Sequence, residues 1–177
     1  MARALGLLLA LVLAAPAAAQ DKPAPKSLPE ALAQAGLDPK TKAEGATLQV
    51  MLGQRAVFHL DGAKPVVDTV DMGKVALAQP KGKAETYKTP PAGKLAMALD
   101  ASAEKRQSIL KVWNGTDKPM IYKAELVALR GGKLMRRHAV ICPVLPGAAN
   151  HEIWNDPLLA VRLSGFAETA PDDLTCR

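Results

Sequence analysis

The feature that most constrains the fold is an alternation of apolar and polar residues in short runs, clearest in residues 107–144. Two alternating runs within residues 108–129 are separated by a segment containing Gly115 and Pro119, and a Gly-Gly pair follows at residues 131–132. Successive side chains of a β-strand point to opposite faces, so a period of two indicates strands that bury one face. With the turn residues between the runs, this block predicts a β-meander.

The same period of two recurs elsewhere in the chain. Residues 46–60 contain two alternating runs separated by Gly53 and Gln54, which predicts a hairpin. Residues 64–78 are less regular, so one bulged strand and two short strands both remain open there. Further alternating runs predict strands over residues 94–100, 149–154 and 159–163.

Two stretches depart from this pattern. Residues 79–93 combine several prolines and glycines with lysines, which predicts a long exposed loop because no strand can run through them. Arg136 and Arg137 are adjacent in the last strand of the meander, so a strict alternation would turn one of them toward the core. A β-bulge at this pair would resolve the conflict.

The N-terminal segment has the features of a secretory signal peptide. Arg3 gives a positive start, residues 5–13 are apolar, and small residues at 17–19 fit a cleavage site. An uncleaved anchor is the alternative, but the apolar run is short for a membrane span. We expect residues 1–19 to be removed and the mature chain, without a transmembrane segment, to be periplasmic or secreted.

The remaining chain is long enough for one domain with a real core. Residues 20–45 are expected to form a tail and one short helix, since Ser27 and Glu30 match a capping box and Gly36 follows as a stop signal. Residues 46–177 then form the β domain. About eight or nine short strands with turns between them favour an antiparallel β-sandwich over alternating strands and helices.

Two cysteines, Cys142 and Cys176, remain after export. An even count in an oxidising compartment predicts one disulfide, which would tie the C-terminal residues to the meander. A redox or metal-binding thiol pair is the alternative. It is disfavoured because the sequence contains no C-x-x-C motif.

Composition restricts the classes of partner. The chain has 23 basic and 17 acidic residues, a net charge of +6 that falls to +5 when Arg3 leaves with the signal peptide. This modest excess is compatible with a protein partner or an anionic envelope surface. Two Trp, two Tyr and two Phe are few rings for stacking on bases, so we expect no nucleic acid partner.

No set of residues has the spacing of a known catalytic or metal site. We therefore expect no enzyme activity, no cofactor and no metal ion. Two sharper alternatives are retained from the positions of the histidines and their neighbours. One is a copper or other metal carrier using Met135, His138 and His151. The other is a small hydrolase using His151, Glu152 and Asp156.

The residues with most potential to bind a partner are two tryptophans and the lysines of the predicted loop. The alternation places Trp113 on the face opposite Leu110 and Val112, either under a covering helix or on a binding surface. An outward tryptophan is a common anchor for a protein partner. The complete set of candidates is Trp113, Trp154, Lys81, Lys83 and Lys88.

The strand rhythm of residues 46–168, with the run Leu-Lys-Val-Trp-Asn-Gly-Thr-Asp-Lys-Pro-Met-Ile-Tyr at residues 110–122, resembles the immunoglobulin-like sandwiches of small exported bacterial proteins. It departs from antibody domains, because the Cys-Trp-Cys spacing of facing core strands is absent. The resemblance implies an all-β, immunoglobulin-like antiparallel β-sandwich with one short N-terminal helix. A fold implies no function by itself. The expected role is therefore general, an exported protein that binds or supports another envelope component.

Overall fold

The computed structural model describes residues 30, 32–33, 36–79, 84–102, 104–131 and 133–177. These residues form two antiparallel sheets of five strands each. Sheet 1 has the strand order β1-β2-β10-β7-β8, and sheet 2 has the order β4-β3-β5-β6-β9. The strands are β1 Lys42–Glu44, β2 Thr47–Met51, β3 Gln54–Asp61, β4 Lys64–Met72, β5 Leu95–Ser102, β6 Gln107–Asn114, β7 Met120–Arg130, β8 Lys133–Ala139, β9 Ala149–Trp154 and β10 Leu158–Glu168. A 3-10 helix, Ala76–Ala78, follows β4.

The core lies between the two sheets and is built by the alternation seen in the sequence. Leu48 and Val50 of β2 face Ala56 and Phe58 of β3 across it, and all four are fully buried. The Phe58 ring lies 5.5 Å from the ring of Phe166 on β10, which joins the two layers through an aromatic contact. The prediction of an all-β sandwich is confirmed.

The predicted hairpin in residues 46–60 is wrong. β2 pairs with β1 and β10 in sheet 1, whereas β3 pairs with β4 and β5 in sheet 2. At the crossover, Gly53 has a positive φ of 80° and donates a backbone hydrogen bond to the Leu99 carbonyl at 2.7 Å. Two strands that face each other across a core bury alternate residues just as a hairpin does, so the pattern cannot separate the two arrangements.

The predicted meander is confirmed only in its second half. β7 and β8 form a hairpin, but β6 belongs to sheet 2, so residues 115–119 cross between the layers. The Asn114 side-chain amide fixes this crossing, because its nitrogen donates to the carbonyls of Lys118 and Val144, each at 2.8 Å. Asn114 itself is buried.

The structure also shows whether β4 and β8 contain the β-bulges that the sequence suggested. β4 is one bulged strand, since Val57 faces Thr69 while Phe58 faces Val67, which leaves Asp68 as the extra residue. In β8, by contrast, the predicted bulge is absent, and the pairing with β7 runs in register from Lys133 to Ala139. β8 is an edge strand with little cover, so its two adjacent arginines extend to opposite faces without entering the core.

The predicted disulfide is confirmed, and Cys142 is bonded to Cys176 across a sequence separation of 34. Beside it, Ile141 and Arg177 exchange two backbone hydrogen bonds of 2.9 and 2.8 Å. The C-terminal residues are therefore held against the chain immediately beyond the end of β8.

Part of the N-terminal prediction lies outside the described residues, including the signal peptide at residues 1–19 and the capping residue Ser27. Glu30, Leu32 and Ala33 are helical, and Leu32 packs with Leu37 against the outer face of sheet 1. This fragment does not establish the expected helix. Among the described residues, none of the helical segments has the length and apolar character needed to cross a bilayer.

Candidate functional site

Trp113 lies on the outer face of sheet 2, as the alternation predicts, but it is only 7% exposed. It packs with Val75, Ala78 and Tyr87, which come from the segment between β4 and β5. The Tyr87 ring meets the Trp113 ring edge-on, with the ring centroids 6.1 Å apart. This burial corrects the expectation of an exposed tryptophan anchor, because a partner cannot reach the ring while the segment is in place.

Two cations lie beside this aromatic pair. The Arg55 guanidinium carbon is 4.8 Å from the Tyr87 ring centroid and 5.6 Å from that of Trp113. The Lys111 ammonium nitrogen lies 4.7 Å from the Trp113 ring centroid. Cations at these distances are attracted to the negative faces of aromatic rings. The covering segment is thus held by electrostatic contacts as well as by apolar burial.

Carboxylates complete the charge balance of this cluster. Arg55 donates to both oxygens of Asp71, at 2.9 and 2.6 Å, and to the Lys88 carbonyl at 2.5 Å. Lys111 contacts both oxygens of Glu85 at 2.8 and 2.6 Å. Because Lys88 and Glu85 belong to the covering segment, these bonds fasten residues 84–88 to sheet 2. We call this set of contacts the clamp.

The clamp corrects the prediction of a wholly exposed loop at residues 79–93. Tyr87 and Pro90 are buried, and burial raises the pKa of Tyr87 to about 12, with the negative charges of Asp71 and Asp100 acting in the same direction. Of the three candidate lysines, Lys81 and Lys83 lie outside the described residues. Lys88 has an exposed side chain, while its carbonyl is part of the clamp.

Trp154 occupies a different place, at the end of the edge strand β9. Its side chain is partly buried and packs against the main core. The neighbouring Ile153 points outward and is 48% exposed. The two candidate tryptophans therefore do not share a surface, since Trp113 lies under the clamp and Trp154 borders the core.

The residues of the metal hypothesis do not converge. Met135 and His138 are three positions apart in β8, so their side chains extend to opposite faces of sheet 1. His151 belongs to β9 in the other sheet. Cys142 is in the disulfide. Within the described part of the chain, no group of three or more His, Cys, Asp and Glu side chains is placed to hold a metal ion.

The residues of the hydrolase hypothesis are also directed apart. His151 is on the exposed face of β9, where burial and then the charge of Lys111 lower its pKa. Glu152 points the other way, toward the core, and burial raises its pKa. Asp156 is engaged by Arg130 and Arg137. A nucleophile, a base and an orienting acid must lie within hydrogen-bond reach of each other, and these three residues do not form such a chain.

A basic surface runs along β8 and the end of β7. We call Arg130, Lys133, Arg136 and Arg137 the basic edge, because all four are exposed and β8 is the last strand of sheet 1. β8 itself has the sequence KLMRRHA and contains no acidic residue. No ion pair involves Lys133 within the described ranges.

On each face of sheet 1 beside the basic edge, two arginines lie around one carboxylate. On the core-facing side, Asp156 contacts both Arg130 and Arg137, the latter at 3.2 Å, and the Arg130 hydrogen bond is the first cause that lowers the pKa of Asp156. On the outer side, Glu125 lies 2.9 Å from Arg162 and 3.6 Å from Arg136. Positive charge therefore remains on both faces.

An apolar groove adjoins the core-facing side of this edge. It has a volume of about 230 Å³. Its apolar walls come from Leu126, Ala128, Met135 and Leu158, and arginines of the basic edge surround them. Met135 is 53% exposed. The basic edge thus combines charge with a place for an apolar side chain.

A larger cavity of about 700 Å³ opens at one end of the sandwich. Its apolar walls include Met120 and Phe166. His59 lines the cavity and contacts Asp68 at 3.0 Å. Lys94 also lies 3.0 Å from Asp68, and its hydrogen bond is the main cause of a lowered Asp68 pKa. Asp117 and Glu168 also line the cavity, and Glu168 is paired with Lys118 at 2.7 Å.

Comparisons with known proteins give no match, whether with protein-family models, curated proteins or solved structures. The basic edge was missed by sequence reasoning, although one signal was visible. The Arg136-Arg137 pair conflicts with burial on either face of a strand, and an exposed edge strand resolves that conflict more simply than a bulge.

Proposed function

We propose that this chain is an exported, non-enzymatic binding protein of the bacterial envelope, with an immunoglobulin-like sandwich that presents a basic edge to an acidic segment of another protein. The observation that carries the proposal is the excess of arginine and lysine over carboxylate along β8 and at the end of β7. Complementary charge steers association and selects partners of opposite sign.

Two features support export to the periplasm or the outside of the cell. The sequence of residues 1–19 has the pattern of a signal peptide. The Cys142–Cys176 disulfide is the kind of bond that persists in an oxidising compartment. A test is to compare the mass of the protein recovered from the periplasmic fraction with that of the full chain. A product that begins after residue 19 is expected, and full-length protein confined to the cytoplasm would contradict export.

The basic edge is favoured over the cations of the clamp because its charges are incompletely balanced. Asp156 and Glu125 are each shared between two arginines. A partner carboxylate that binds Arg136 or Arg137 therefore leaves Glu125 with Arg162 and Asp156 with Arg130. In the clamp, by contrast, Lys111 and Arg55 are each matched by a carboxylate of their own.

The test uses matched neutral variants. Arg136→Gln/Arg137→Gln removes two charges from the basic edge and leaves Glu125 with Arg162 and Asp156 with Arg130. Lys64→Gln/Lys88→Gln removes two exposed charges from sheet 2 and its covering segment. Binding to a labelled acidic peptide with the core Ser-Glu-Glu-Leu-Thr is measured by fluorescence anisotropy, and vesicles containing phosphatidylglycerol are measured in parallel.

We expect the edge variant to bind the peptide about fivefold more weakly than the wild type, since two exposed charge contacts contribute about 1 kcal/mol in total. The sheet 2 variant should bind as the wild type does. Raising the salt concentration should weaken wild-type binding more than binding by the edge variant. Equal loss in both variants, or binding to the vesicles without binding to the peptide, would overturn the proposal.

A further inference from the structure

We propose that the acidic partner segment binds by strand addition, as a sixth strand of sheet 1 lying antiparallel along β8. This inference rests on the proposed function and specifies how that partner is held. It commits to an extended segment of a protein whose backbone pairs with residues Lys133–Ala139. Main-chain hydrogen bonds would supply the affinity, and side chains on the two faces would supply the selection.

The backbone of β8 has the required free side. In the part of the chain that the structure describes, β8 ends sheet 1 and pairs only with β7. Among the described residues, no backbone hydrogen bond outside that pairing involves residues Lys133–Ala139. In an antiparallel edge strand, alternate residues direct their N–H and C=O groups away from the sheet, where another strand can meet them.

One end of this free edge is defined by the chain itself. Ile141 already exchanges two backbone hydrogen bonds with Arg177, and the disulfide fixes the C-terminal residues there. Val140 lies between that pairing and β8, and it is 67% exposed. The added segment would therefore lie along β8 and stop before Ile141.

The pairing of β8 with β7 identifies which side chains lie on each face. Met135 and Arg137 are opposite Ala128 and Leu126, which face the core. Arg136 is opposite Val127, which packs on the outer face of sheet 1. A partner residue opposite a given β8 residue shares its face, because directly opposed residues of paired strands point to the same side.

These faces specify a sequence pattern in the partner. A carboxylate opposite Arg137 reaches the core-facing pair of arginines, and a carboxylate opposite Arg136 reaches the outer pair. An apolar side chain opposite Met135 reaches the 230 Å³ groove. Since the strand runs antiparallel, the partner reads, from its N-terminus, acidic, acidic, apolar at the positions opposite Arg137, Arg136 and Met135.

The same charges disfavour a second copy of this chain as the occupant. β8 paired with another β8 would bring the Arg136 and Arg137 side chains of both strands close together with no added carboxylate. Like charges directly opposite each other destabilise paired strands. Basic residues on an edge strand thus protect against self-association while admitting an acidic strand.

The first test separates the pattern from simple charge attraction. The peptide core Ser-Glu-Glu-Leu-Thr is compared with Ser-Glu-Leu-Glu-Thr, which has the same composition and net charge. Exchanging Leu with its neighbouring Glu moves each side chain to the other face, because strand side chains alternate with a period of two. We expect the exchanged peptide to bind about tenfold more weakly, since its leucine no longer meets the groove.

The second test addresses the backbone. Two versions of the first peptide are N-methylated at alternate residues, one at odd positions and one at even positions. Only one set of N–H groups faces β8, so one version should lose about thirty-fold in affinity through two or three missing hydrogen bonds. The other version should bind nearly as well as the unmethylated peptide.

The outcomes distinguish the binding mode from the proposed function. If both methylated versions and the exchanged peptide bind equally well, and the Arg136→Gln/Arg137→Gln variant still weakens them, the basic edge binds acidic peptides without strand addition and the inference is overturned. If that variant has no effect on any peptide, the proposed function itself fails. If methylation at only one set of alternate positions weakens peptide binding, and the Arg136→Gln/Arg137→Gln variant also binds the peptide more weakly, the inference is supported.

Discussion

Replacing Asp71 with alanine should loosen the segment that covers Trp113, because it removes the only carboxylate that contacts the Arg55 guanidinium among the described residues. The Arg55 side chain is 7% exposed, whereas that of Asp71 is 43% exposed. The two partners therefore differ in what they lose. Without Asp71, the buried Arg55 guanidinium still contacts the Lys88 carbonyl and the rings of Tyr87 and Trp113, but it has no carboxylate partner among the described residues. Without Arg55, the carboxylate can still be hydrated.

The magnitude follows from this asymmetry. Two unit charges about 4 Å apart attract by about 4 kcal/mol at an effective dielectric constant near 20. Exposure of Asp71 to water reduces that figure, and we take a coupling of about 2 kcal/mol. Asp71→Ala should then cost about 3 kcal/mol, because it leaves a buried charge without its partner. Arg55→Met, which retains an apolar stem between Tyr87 and Trp113, should cost about 2 kcal/mol.

The assay is a double-mutant cycle measured by urea unfolding and followed by circular dichroism. The double variant should lose about 3 kcal/mol, which is less than the sum of the single losses. Trp113 emission, recorded in a Trp154→Phe background, should shift to longer wavelength in Asp71→Ala as water reaches the ring. The ion pair of Lys118 and Glu168 serves as control, since both side chains are more than half exposed and should show much weaker coupling.

A coupling free energy below about 0.5 kcal/mol would refute the reasoning, because it would make Arg55 and Asp71 equivalent to an ordinary surface pair. Unchanged Trp113 emission in Asp71→Ala would separately show that apolar packing alone holds the segment. In that case Tyr87→Ala should be the variant that exposes Trp113. The coupling free energy and the Trp113 emission thus distinguish the contribution of charge from that of apolar packing in holding the covering segment.

Other predictions concern the core and the disulfide. Cys142→Ser/Cys176→Ser should lower the unfolding free energy by about 4 kcal/mol, through loss of a cross-link spanning 34 positions. Tyr122→Phe should stabilise the protein by about 1 kcal/mol in thermal unfolding, because the buried Tyr122 hydroxyl has no hydrogen-bond partner among the described residues; a loss of stability would reveal a partner. In that variant, absorbance titration of Tyr87 should give a pKa of about 12. Because the pKa of Tyr87 is higher in the folded than in the unfolded chain, folding favours the protonated phenol. The contribution of Tyr87 to the free energy of unfolding should therefore be complete below about pH 10 and decrease as the pH rises toward 12. Gly115→Ala should destabilise strongly, since a Cβ there would lie 2.6 Å from the Lys94 carbonyl oxygen. Gly131→Ala, with open space around it but a φ of 55°, should cost only about 1 kcal/mol.

The period of two predicted most strands but not how they divide between the sheets. Leu48 and Phe58 point to the core whether their strands are neighbours or face each other, so the alternation contains no information on that choice. The choice is made by crossover geometry. Gly53 and the Asn114 side chain hold the chain where it passes from one layer to the other.

The candidate site was harder to predict because burial of Trp113 depends on contacts distant in sequence. The alternation placed the ring on the outer face of sheet 2, which is where it lies. What covers it is an irregular segment whose proline and lysine content predicts exposure. Tyr87 was the one signal to the contrary, since a single aromatic residue within a polar segment gains most by packing against another aromatic surface.

The division of charge between the two sheets has a consequence for binding. On sheet 2, the two cations that lie over Trp113 are each neutralised by a carboxylate, and their contacts hold the protein's own segment. On sheet 1, arginines outnumber the carboxylates they share, and β8 is paired on one side only within the described residues. Charges that already satisfy each other stabilise a fold, whereas excess charge next to unpaired backbone favours a partner of opposite sign. For this reason the proposed contact lies at β8, and the tryptophan that the sequence suggested as an anchor belongs instead to the structure that supports sheet 2.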